Sequence, residues 1–137
     1  MEQGQTKRKI MIVDDDKFLL DMYTFKFNEK GFEVNQVLGS VEALNRLKGG
    51  ALADVILLDL VMPTMDGFEL LDLIKKQNLA PNSKVIILSN LGQPADIEKA
   101  RTLGANGYVI KASATPSEVV EKVMVVLSGS ESFAQVE

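Results

Sequence analysis

Four short apolar runs in this sequence each end at polar side chains that could take part in chemistry. These polar residues are the aspartates Asp14, Asp15 and Asp16 after the first run, and Asp59, Ser89 and Lys111 after three later runs. Two carboxylates about 4 Å apart repel each other by ~4 kcal/mol at an effective dielectric constant of about 20, so gathered carboxylates need a counter-cation. Carboxylate oxygens suit Mg²⁺, a lysine ammonium can pair with a phosphate, and an aspartate can act as the nucleophile that forms an acyl phosphate. The pattern is therefore typical of a metal-assisted phosphoryl-acceptor site.

Each of these residues, taken alone, also has an ordinary structural explanation. A lone aspartate between a strand and a helix is commonly an N-cap, and we favour this interpretation for Asp16. Ser89 alone could be a turn residue, and Lys111 alone could extend its ammonium to solvent. Asp59 fits an ordinary role less well, because it follows four apolar residues and a buried charge without partners is costly. The joint occurrence at four successive run ends favours the functional interpretation.

The elements that must position these residues are predicted by the hydrophobic pattern. Five apolar runs predict strands at 10–13, 32–37, 55–58, 85–88 and 108–110, and segments of helical length lie at 16–30, 40–48, 66–77, 94–103 and 115–127. Three of the runs are continuous rather than alternating, as in strands that are covered on both faces. The repeated strand–helix order predicts an α/β fold with a parallel sheet and right-handed crossovers. Ligands of such sheets bind at the carboxyl ends of the strands, where the polar residues lie.

Length and composition exclude several classes of protein. The chain has 137 residues, room for one domain of ordinary size. It contains no Cys and no His, which excludes disulfides, thiolate catalysis and zinc–sulfur sites. The net charge is 15 − 19 = −4, so direct binding to nucleic acid is disfavoured. No apolar run approaches the ~20 residues of a membrane span. The apolar stretch before Asp14 is too short for a signal peptide, and we expect a cytoplasmic protein.

Three helices have apolar patterns that bear on partners. In the first, Leu19, Met22, Tyr23 and Phe27 form one face, while Phe18, Leu20 and Phe25 lie outside it. The last helix has an apolar arc of roughly 160° that includes Val119, Val123 and Met124, wider than the ~100° stripe of a surface helix. We expect this arc to offer a partner surface, which Val119→Glu or Val123→Glu would disrupt without loss of the fold. The 94–103 helix is weakly amphipathic, so we expect it to move easily.

Four segments together resemble the receiver domain of two-component response regulators. They are Ile12–Asp16, Leu57–Gly67, Ile87–Asn90 and Gly104–Lys111, and the match extends over about residues 8 to 127. The resemblance implies a doubly wound, flavodoxin-like five-stranded parallel sheet with strand order 2-1-3-4-5 and helices on both faces. The expected domain boundaries are 9–127, with polar tails at 1–8 and 128–137.

The resemblance also implies a role for each matched residue. Asp59 would take a phosphoryl group from the phosphohistidine of a sensor histidine kinase or a histidine phosphotransfer protein. Asp15, Asp59 and the Val61 carbonyl would ligate Mg²⁺ directly, and Asp14 would hold it through water. Ser89 would move to the phosphoryl group and Lys111 would pair with it. Tyr108 matches the aromatic switch position of the family, although a half-buried strand tyrosine is the alternative.

Two positions depart from the usual pattern of the family. Ala112 follows Lys111 where proline is usual, often after a cis bond, and a cis bond before alanine would cost about 2.5–4 kcal/mol. The loop after the fifth strand therefore either tolerates strain or differs from that of the family. Asn90 stands where a small residue is usual, and we expect its amide to cover part of the site and slow the entry of water.

The expected function is a phosphorylation switch rather than a turnover enzyme. Phosphorylation would change the surface made by the 94–103 helix, the fifth strand and the 115–127 helix, where a downstream protein or a second copy would bind. Phe18 is the expected docking point for the kinase or phosphotransfer protein. About ten residues follow the last helix, so we expect no output domain in this sequence. The signal would then leave by protein–protein contact, unless the sequence is a fragment of a longer protein.

Three alternatives stay open at this point. A receiver-like docking module could work without phosphorylation, as the departures at Asn90 and Ala112 allow. A phosphatase with an aspartyl nucleophile, similar to the haloacid dehalogenases, would have a second aspartate at position 61, where this chain has Val. A flavodoxin-like cofactor binder is disfavoured because no glycine-rich phosphate loop follows the first strand.

Overall fold

The computed structural model of the chain describes residues 7–129 and 134–136. The strands are β1 (Lys9–Asp14), β2 (Glu33–Leu38), β3 (Val55–Leu58), β4 (Lys84–Ser89), β5 (Gly107–Ile110) and β6 (Ala134–Val136). The helices are α1 (Lys17–Glu29), α2 (Ser40–Lys48), α3 (Gly67–Lys76), α4 (Pro94–Thr102) and α5 (Pro116–Ser128), with a 3₁₀ turn at Lys111–Ser113. Within these ranges, no helix has the length and apolar character needed to cross a membrane.

All the strands are parallel and lie in the order β2-β1-β3-β4-β5-β6. The five-stranded order 2-1-3-4-5 is therefore confirmed, and a sixth strand extends it. The sequence predicted only a polar tail at 128–137. In the structure, α5 ends at Ser128 and the segment 134–136 forms a strand that pairs with the outer edge of β5. A three-residue strand is too short to leave a readable pattern in the sequence, and only the free edge of β5 gives it a partner.

The sheet separates two hydrophobic cores. Strand residues such as Met11 and Val13 point to the face covered by α2, α3 and α4. The alternate residues Ile10 and Ile12 point to the face covered by α1 and α5. Because side chains alternate along a strand and both faces are covered, β1, β3 and β4 must be apolar at nearly every position. This explains the continuous apolar runs of the sequence.

The helices begin where the sequence places their caps. The Asp16 carboxylate accepts a hydrogen bond from the Leu19 N–H, so Asp16 is the N-cap of α1 as expected. Asp66 and Thr115 each begin a helix with a full capping box. By contrast, α4 has no side-chain N-cap and buries only Ala100, which agrees with its weak amphipathic pattern. Of these helices, α4 thus has the least local stabilisation.

The expectation for the apolar arc of α5 was wrong at two residues. Val119 and Val123 are both 0% exposed and pack in the core with α1 and the sheet, so glutamate at either position would disrupt the fold. The arc is wide because α5 contacts α1 on one side and the sheet on another. Leu20 of α1 lies in the same core, although the sequence pattern placed it outside. Phe18 and Phe25 are 75% and 68% exposed.

Candidate functional site

The carboxyl ends of four neighbouring strands place the predicted site residues at one edge of the sheet. Val13 lies opposite Leu58 in the pairing of β1 with β3, so Asp14 and Asp59, the next residues along the chain, are neighbours. Ser89 lies opposite Ile110 in the pairing of β4 with β5, and Lys111 follows directly. Parallel pairing in register therefore gathers residues that are far apart in the sequence.

Three carboxylates form a compact cluster at this edge. Carboxylate oxygens of Asp14, Asp15 and Asp59 all lie within 4.8 Å of one another. Asp14 and Asp59 are only 3% and 6% exposed, whereas Asp15 faces solvent. The donor set consists of hard carboxylate oxygens with one side open, which fits a divalent cation such as Mg²⁺ that keeps several waters. The cluster has the chemistry required of a magnesium site.

The ammonium of Lys111 lies beside the two buried carboxylates. Its Nζ is 2.8 Å from Asp14 Oδ2 and 3.5 Å from Asp59 Oδ2. Burial by itself lowers the pKa of Lys111, but the hydrogen bond to Asp14 and the charge of Asp59 outweigh this, so the pKa is raised. The Lys111–Ala112 peptide bond is trans, and the loop begins with the 3₁₀ turn. Alanine in place of proline is thus compatible with a lysine directed into the site.

Backbone hydrogen bonds orient the Asp59 carboxylate, while burial disfavours its charged form. Its Oδ1 accepts hydrogen bonds from the N–H groups of Leu60 at 2.8 Å and Val61 at 3.4 Å. Burial is the main cause that raises the pKa of Asp59, the charge of Asp14 adds to it, and Lys111 opposes it. The carboxylate is therefore oriented by fixed donors while its negative charge remains only partly compensated.

Ser89 and Tyr108 connect the site to the core beneath α4. Ser89 is fully buried, and its Oγ accepts a hydrogen bond from the Leu91 N–H at 3.3 Å. The Tyr108 hydroxyl donates to the Leu91 carbonyl, and the ring is 0% exposed. Tyr108 is thus fully buried here rather than half-buried, and burial raises its pKa to about 12. One loop residue, Leu91, links both side chains.

The remaining predicted residues are placed by the segments that follow the site residues along the chain. The Val61 side chain is 59% exposed, while its backbone belongs to the loop that follows Asp59. Asn90 is exposed and follows Ser89 in the loop before α4. Phe18 lies in the first turn of α1, two residues after the N-cap Asp16.

Sequence reasoning missed two residues that hold the loop after β3. The Ser40 Oγ donates to the Met65 carbonyl at 2.5 Å and is almost completely buried. Gly67 donates its N–H to the Leu60 carbonyl at 2.9 Å, and a Cβ at this position would lie 2.2 Å from the Asp59 carbonyl oxygen. The Asp66–Gly67 pair in the sequence signals only a turn and a helix start. The close approach of α3 to Asp59 exists only in the folded chain.

Comparison with known proteins agrees with this arrangement. Residues 10–124 match the family model of the response regulator receiver domain. The chain is 32% identical over 115 residues to the chemotaxis protein CheY of Thermotoga maritima, covering 83% of this chain and 92% of that protein. It is 35% identical over 115 residues to the regulatory protein VanRc of Enterococcus gallinarum, covering 84% of this chain but 48% of that one. The chain thus spans about half the length of several curated relatives that it matches.

Solved structures give the same result for the fold. The receiver domain of the Francisella response regulator 1452 is similar with a TM-score of 0.81 and 30% identity, covering 91% of this chain and 100% of that chain. The chemotaxis protein CheY4 of Vibrio cholerae is similar with a TM-score of 0.80 and 26% identity, covering 88% of this chain and 99% of that one. Sequence, sheet order and the acidic edge agree, and the chain belongs to the response regulator receiver domain family of two-component systems.

Proposed function

We propose that this chain is a phosphorylation switch whose acceptor is Asp59. The observation that carries the proposal is the position of this carboxylate, which is buried beside Asp14 and contacts the Lys111 ammonium at the edge of the sheet. One oxygen accepts backbone N–H groups, and the other lies 3.5 Å from the Lys111 ammonium. Such a carboxylate is fixed in orientation and has a cation within reach of an incoming phosphoryl group.

The proposed reaction transfers a phosphoryl group from a phosphohistidine of a sensor histidine kinase or histidine phosphotransfer protein. An oxygen of Asp59 forms a bond to phosphorus as the P–N bond of the phosphohistidine breaks. The imidazole leaves with the bonding electron pair, and the product is an acyl phosphate. Lys111 supplies positive charge where the phosphoryl oxygens would lie, and its raised pKa keeps it protonated at neutral pH.

Mg²⁺ is the cofactor that the carboxylate cluster supports. Asp15, Asp59 and the Val61 carbonyl would hold the ion directly, and Asp14 would hold it through water. When bound, the ion neutralises negative charge on the phosphoryl oxygens and the carboxylates. Asp14 already contacts Lys111 at 2.8 Å, so its charge is shared between the ammonium and the cation site.

Phosphorylation would be transmitted through the Ser89–Leu91 loop. New acceptor oxygens near Ser89 favour hydrogen bonds from its hydroxyl, which would move the loop. Because the Tyr108 hydroxyl donates to the Leu91 carbonyl, a loop shift also breaks or moves the contact that holds this ring. The weakly anchored α4 would follow, which changes the surface formed by α4, β5 and α5. A downstream protein or a second copy of the chain would bind there.

Phe18 is the proposed contact for the phosphodonor. Its side chain is 75% exposed, and it lies four residues after Asp14, the last residue of β1, so a phosphodonor that approaches this end of the sheet would meet it. The chemistry proposed here is limited to accepting and losing one phosphoryl group. No turnover of a separate substrate is required of the site.

The test is phosphorylation measured by intact mass. Incubation with acetyl phosphate or phosphoramidate in the presence of Mg²⁺ should add one phosphoryl group to the chain. Asp59→Asn should abolish the gain, and chelation of Mg²⁺ should suppress it. Asp72→Asn is the matched control, because Asp72 is a surface residue paired with Lys76 away from the cluster, and this variant should gain phosphate normally. An unmodified wild-type chain would contradict the proposal.

A docking module that works without phosphorylation is the second candidate. Asn90 and Ala112 were the reasons to consider it, but Lys111 contacts both carboxylates with Ala112 in place. If a partner binds wild type and Asp59→Asn equally in the presence and absence of phosphodonor, this alternative is favoured. Turnover of a phosphomonoester would instead favour an aspartyl phosphatase.

A further inference from the structure

Ser40 joins the two chain segments that carry the proposed cation ligands. Its side chain is almost completely buried, and its Oγ donates a hydrogen bond to the Met65 carbonyl at 2.5 Å. Directly before it, the Gly39 N–H donates to the Asp14 carbonyl at 2.9 Å. The start of α2 is therefore bonded to the end of β1 on one side and to the loop between β3 and α3, residues 59–66, on the other.

This loop carries Val61, whose carbonyl is a proposed ligand of Mg²⁺. The Gly67 N–H at the start of α3 donates to the Leu60 carbonyl at 2.9 Å, which holds the two ends of the loop together. Between them, the Met65 N–H donates to the Pro63 carbonyl at 2.8 Å, so the tether on Met65 extends to the segment next to Val61. Among the residues that the structure describes, no second side chain from outside the loop donates a hydrogen bond to it.

The loop is strained at the residue before its tether. Thr64 has a φ of 72°, in the left-handed region that a β-branched residue rarely adopts. Such a conformation persists only where the surrounding structure holds it. Without the bond from Ser40, we expect the loop to relax toward a negative φ at Thr64, which would move the neighbouring Pro63 and with it the Val61 carbonyl.

Mg²⁺ and Ca²⁺ respond differently to a ligand that can move. Mg²⁺ requires nearly ideal octahedral geometry at about 2.0–2.1 Å, whereas Ca²⁺ accepts about six to eight oxygens in flexible arrangements. A carbonyl on a loop that shifts therefore weakens binding of Mg²⁺ more than binding of Ca²⁺. The carboxylates of Asp14, Asp15 and Asp59 would still attract either ion. The rigidity of the loop is thus the property that selects between the two ions.

We propose that Ser40 is a positioning residue that gives the carboxylate cluster its selectivity for Mg²⁺ over Ca²⁺. It acts through the backbone, because it holds the Met65 carbonyl and thereby fixes the direction of the Val61 carbonyl. Contacts that orient a metal ligand commonly contribute much of the affinity for the metal. The inference rests on the proposed function, since it takes Asp15, Asp59 and the Val61 carbonyl as the direct ligands.

The test compares two serines that make the same kind of bond at opposite ends of the sheet. Ser83 is also buried, and its Oγ donates to the Ala53 carbonyl at 2.5 Å, next to the amino ends of β3 and β4. Ser40→Ala and Ser83→Ala each remove one buried hydrogen bond, so Ser83→Ala controls for a general loss of stability. Alanine is a good helix former, so Ser40→Ala should retain α2.

Isothermal titration calorimetry with MgCl₂ and with CaCl₂ measures the two dissociation constants. In Ser40→Ala, the constant for Mg²⁺ should rise about tenfold, as for loss of a contact that orients a ligand, and the constant for Ca²⁺ by about threefold or less. The ratio of the two constants should stay at the wild-type value in Ser83→Ala. Ser40→Cys keeps the size of the side chain but has a weaker donor, so it should give an intermediate ratio.

Hydrogen exchange of the metal-free protein is the second measurement. The Met65 and Gly67 amides should exchange several-fold faster in Ser40→Ala than in wild type or Ser83→Ala, because both donate to carbonyls of the tethered loop. Unchanged exchange, an unchanged ratio in both Ser40 variants, or the same change of ratio in Ser83→Ala would overturn the proposal and leave the magnesium site in place. A wild type that binds neither ion would contradict the cation site of the proposed function, and this inference with it.

Discussion

Asp59 is a carboxylate held where burial opposes its charge. Its pKa is raised, so between the unfolded and folded pKa values the folded state binds more protons than the unfolded chain. The stability that this residue contributes is therefore present below the unfolded pKa and lost as the pH rises through the folded pKa. Above the folded pKa the ionised Asp59 destabilises the metal-free protein, as is common for residues that serve a ligand rather than the fold.

Replacing Asp59 with asparagine should stabilise the metal-free protein. Asp59→Asn keeps an oxygen for the Leu60 N–H and removes the repulsion by Asp14, so the free energy of unfolding should rise by on the order of 1 kcal/mol at pH 7. Urea unfolding in the presence of a chelator measures this change. The gain should disappear near pH 3, where Asp59 is protonated and the wild type and the variant both carry a neutral side chain at position 59. A variant less stable than wild type at pH 7 would contradict the prediction.

Tyr108 makes stability sensitive to alkaline pH. Burial raises its pKa from 10.0 to about 12, so its contribution is complete below pH 10 and is lost as the pH rises to about 12. Wild type should lose up to about 2–3 kcal/mol of stability over this interval through Tyr108. Tyr108→Phe should have a shallower decline in urea unfolding above pH 10. Equal slopes in the two proteins would show that Tyr108 ionises normally.

Asn90 is expected to control the lifetime of the phosphorylated state. If its amide slows the approach of water to the acyl phosphate, Asn90→Ala should lose the phosphoryl group several-fold faster. The lifetime can be followed by intact mass after removal of the phosphodonor. Leu91 is unsuitable for comparison because it carries the Ser89 and Tyr108 contacts, so the exposed Gln93→Ala serves as the control. An unchanged lifetime in Asn90→Ala would contradict this role.

At the scale of elements, the start of α3 fixes the loop that follows Asp59. The backbone of Gly67 approaches β3 so closely that a Cβ would lie 2.2 Å from the Asp59 carbonyl oxygen and 2.8 Å from Leu60 Cα. Both neighbours are backbone atoms and cannot rotate away. Only glycine at position 67 therefore allows α3 to pack this closely against the backbone of Asp59 and Leu60.

Gly67→Ala should destabilise the protein by about 1–3 kcal/mol because of this overlap. Phosphorylation of Asp59 should also slow, since relief of the clash moves its backbone. Gly49→Ala is the matched control, because Gly49 has a φ of −79° and the nearest atom to a Cβ lies 3.4 Å away. Chemical denaturation should show a change of less than about 0.5 kcal/mol in the control. Similar losses in both variants would contradict the packing explanation.

At the scale of the whole molecule, the cation site couples ligand binding to folding. Asp14, Asp15 and Asp59 come together only when β1 and β3 pair, so the unfolded chain has no comparable site. Mg²⁺ at ten times its dissociation constant should therefore add about 1.4 kcal/mol to the free energy of unfolding.

This coupling can be measured as a rise of a few degrees in Tm on addition of Mg²⁺. Asp59→Asn should lose most of the rise, because one direct ligand is weakened. Asp72→Asn, on the exposed surface of α3, should keep all of it. A Tm independent of Mg²⁺ in wild type would contradict the assignment of the cation site.

The sequence by itself determined the alternation of strands and helices, the caps at Asp16, Asp66 and Thr115, and the polar residues at the strand ends. These features are local, because periodicity, capping and the residue after an apolar run can be read without knowing what packs where. Parallel topology then brings the strand ends together. That is why Asp14, Asp15, Asp59 and Lys111 could be predicted as neighbours from the sequence.

Only the tertiary structure decided which distant surfaces meet. The width of the α5 arc indicated a partner in the sequence, but α1 and the sheet bury Val119 and Val123 within the same molecule. The complete burial of Tyr108, the approach of Gly67 to Asp59 and the pairing of β6 with β5 follow equally from contacts between remote segments. An apolar pattern specifies that a face must be covered, whereas the three-dimensional packing selects the group that covers it.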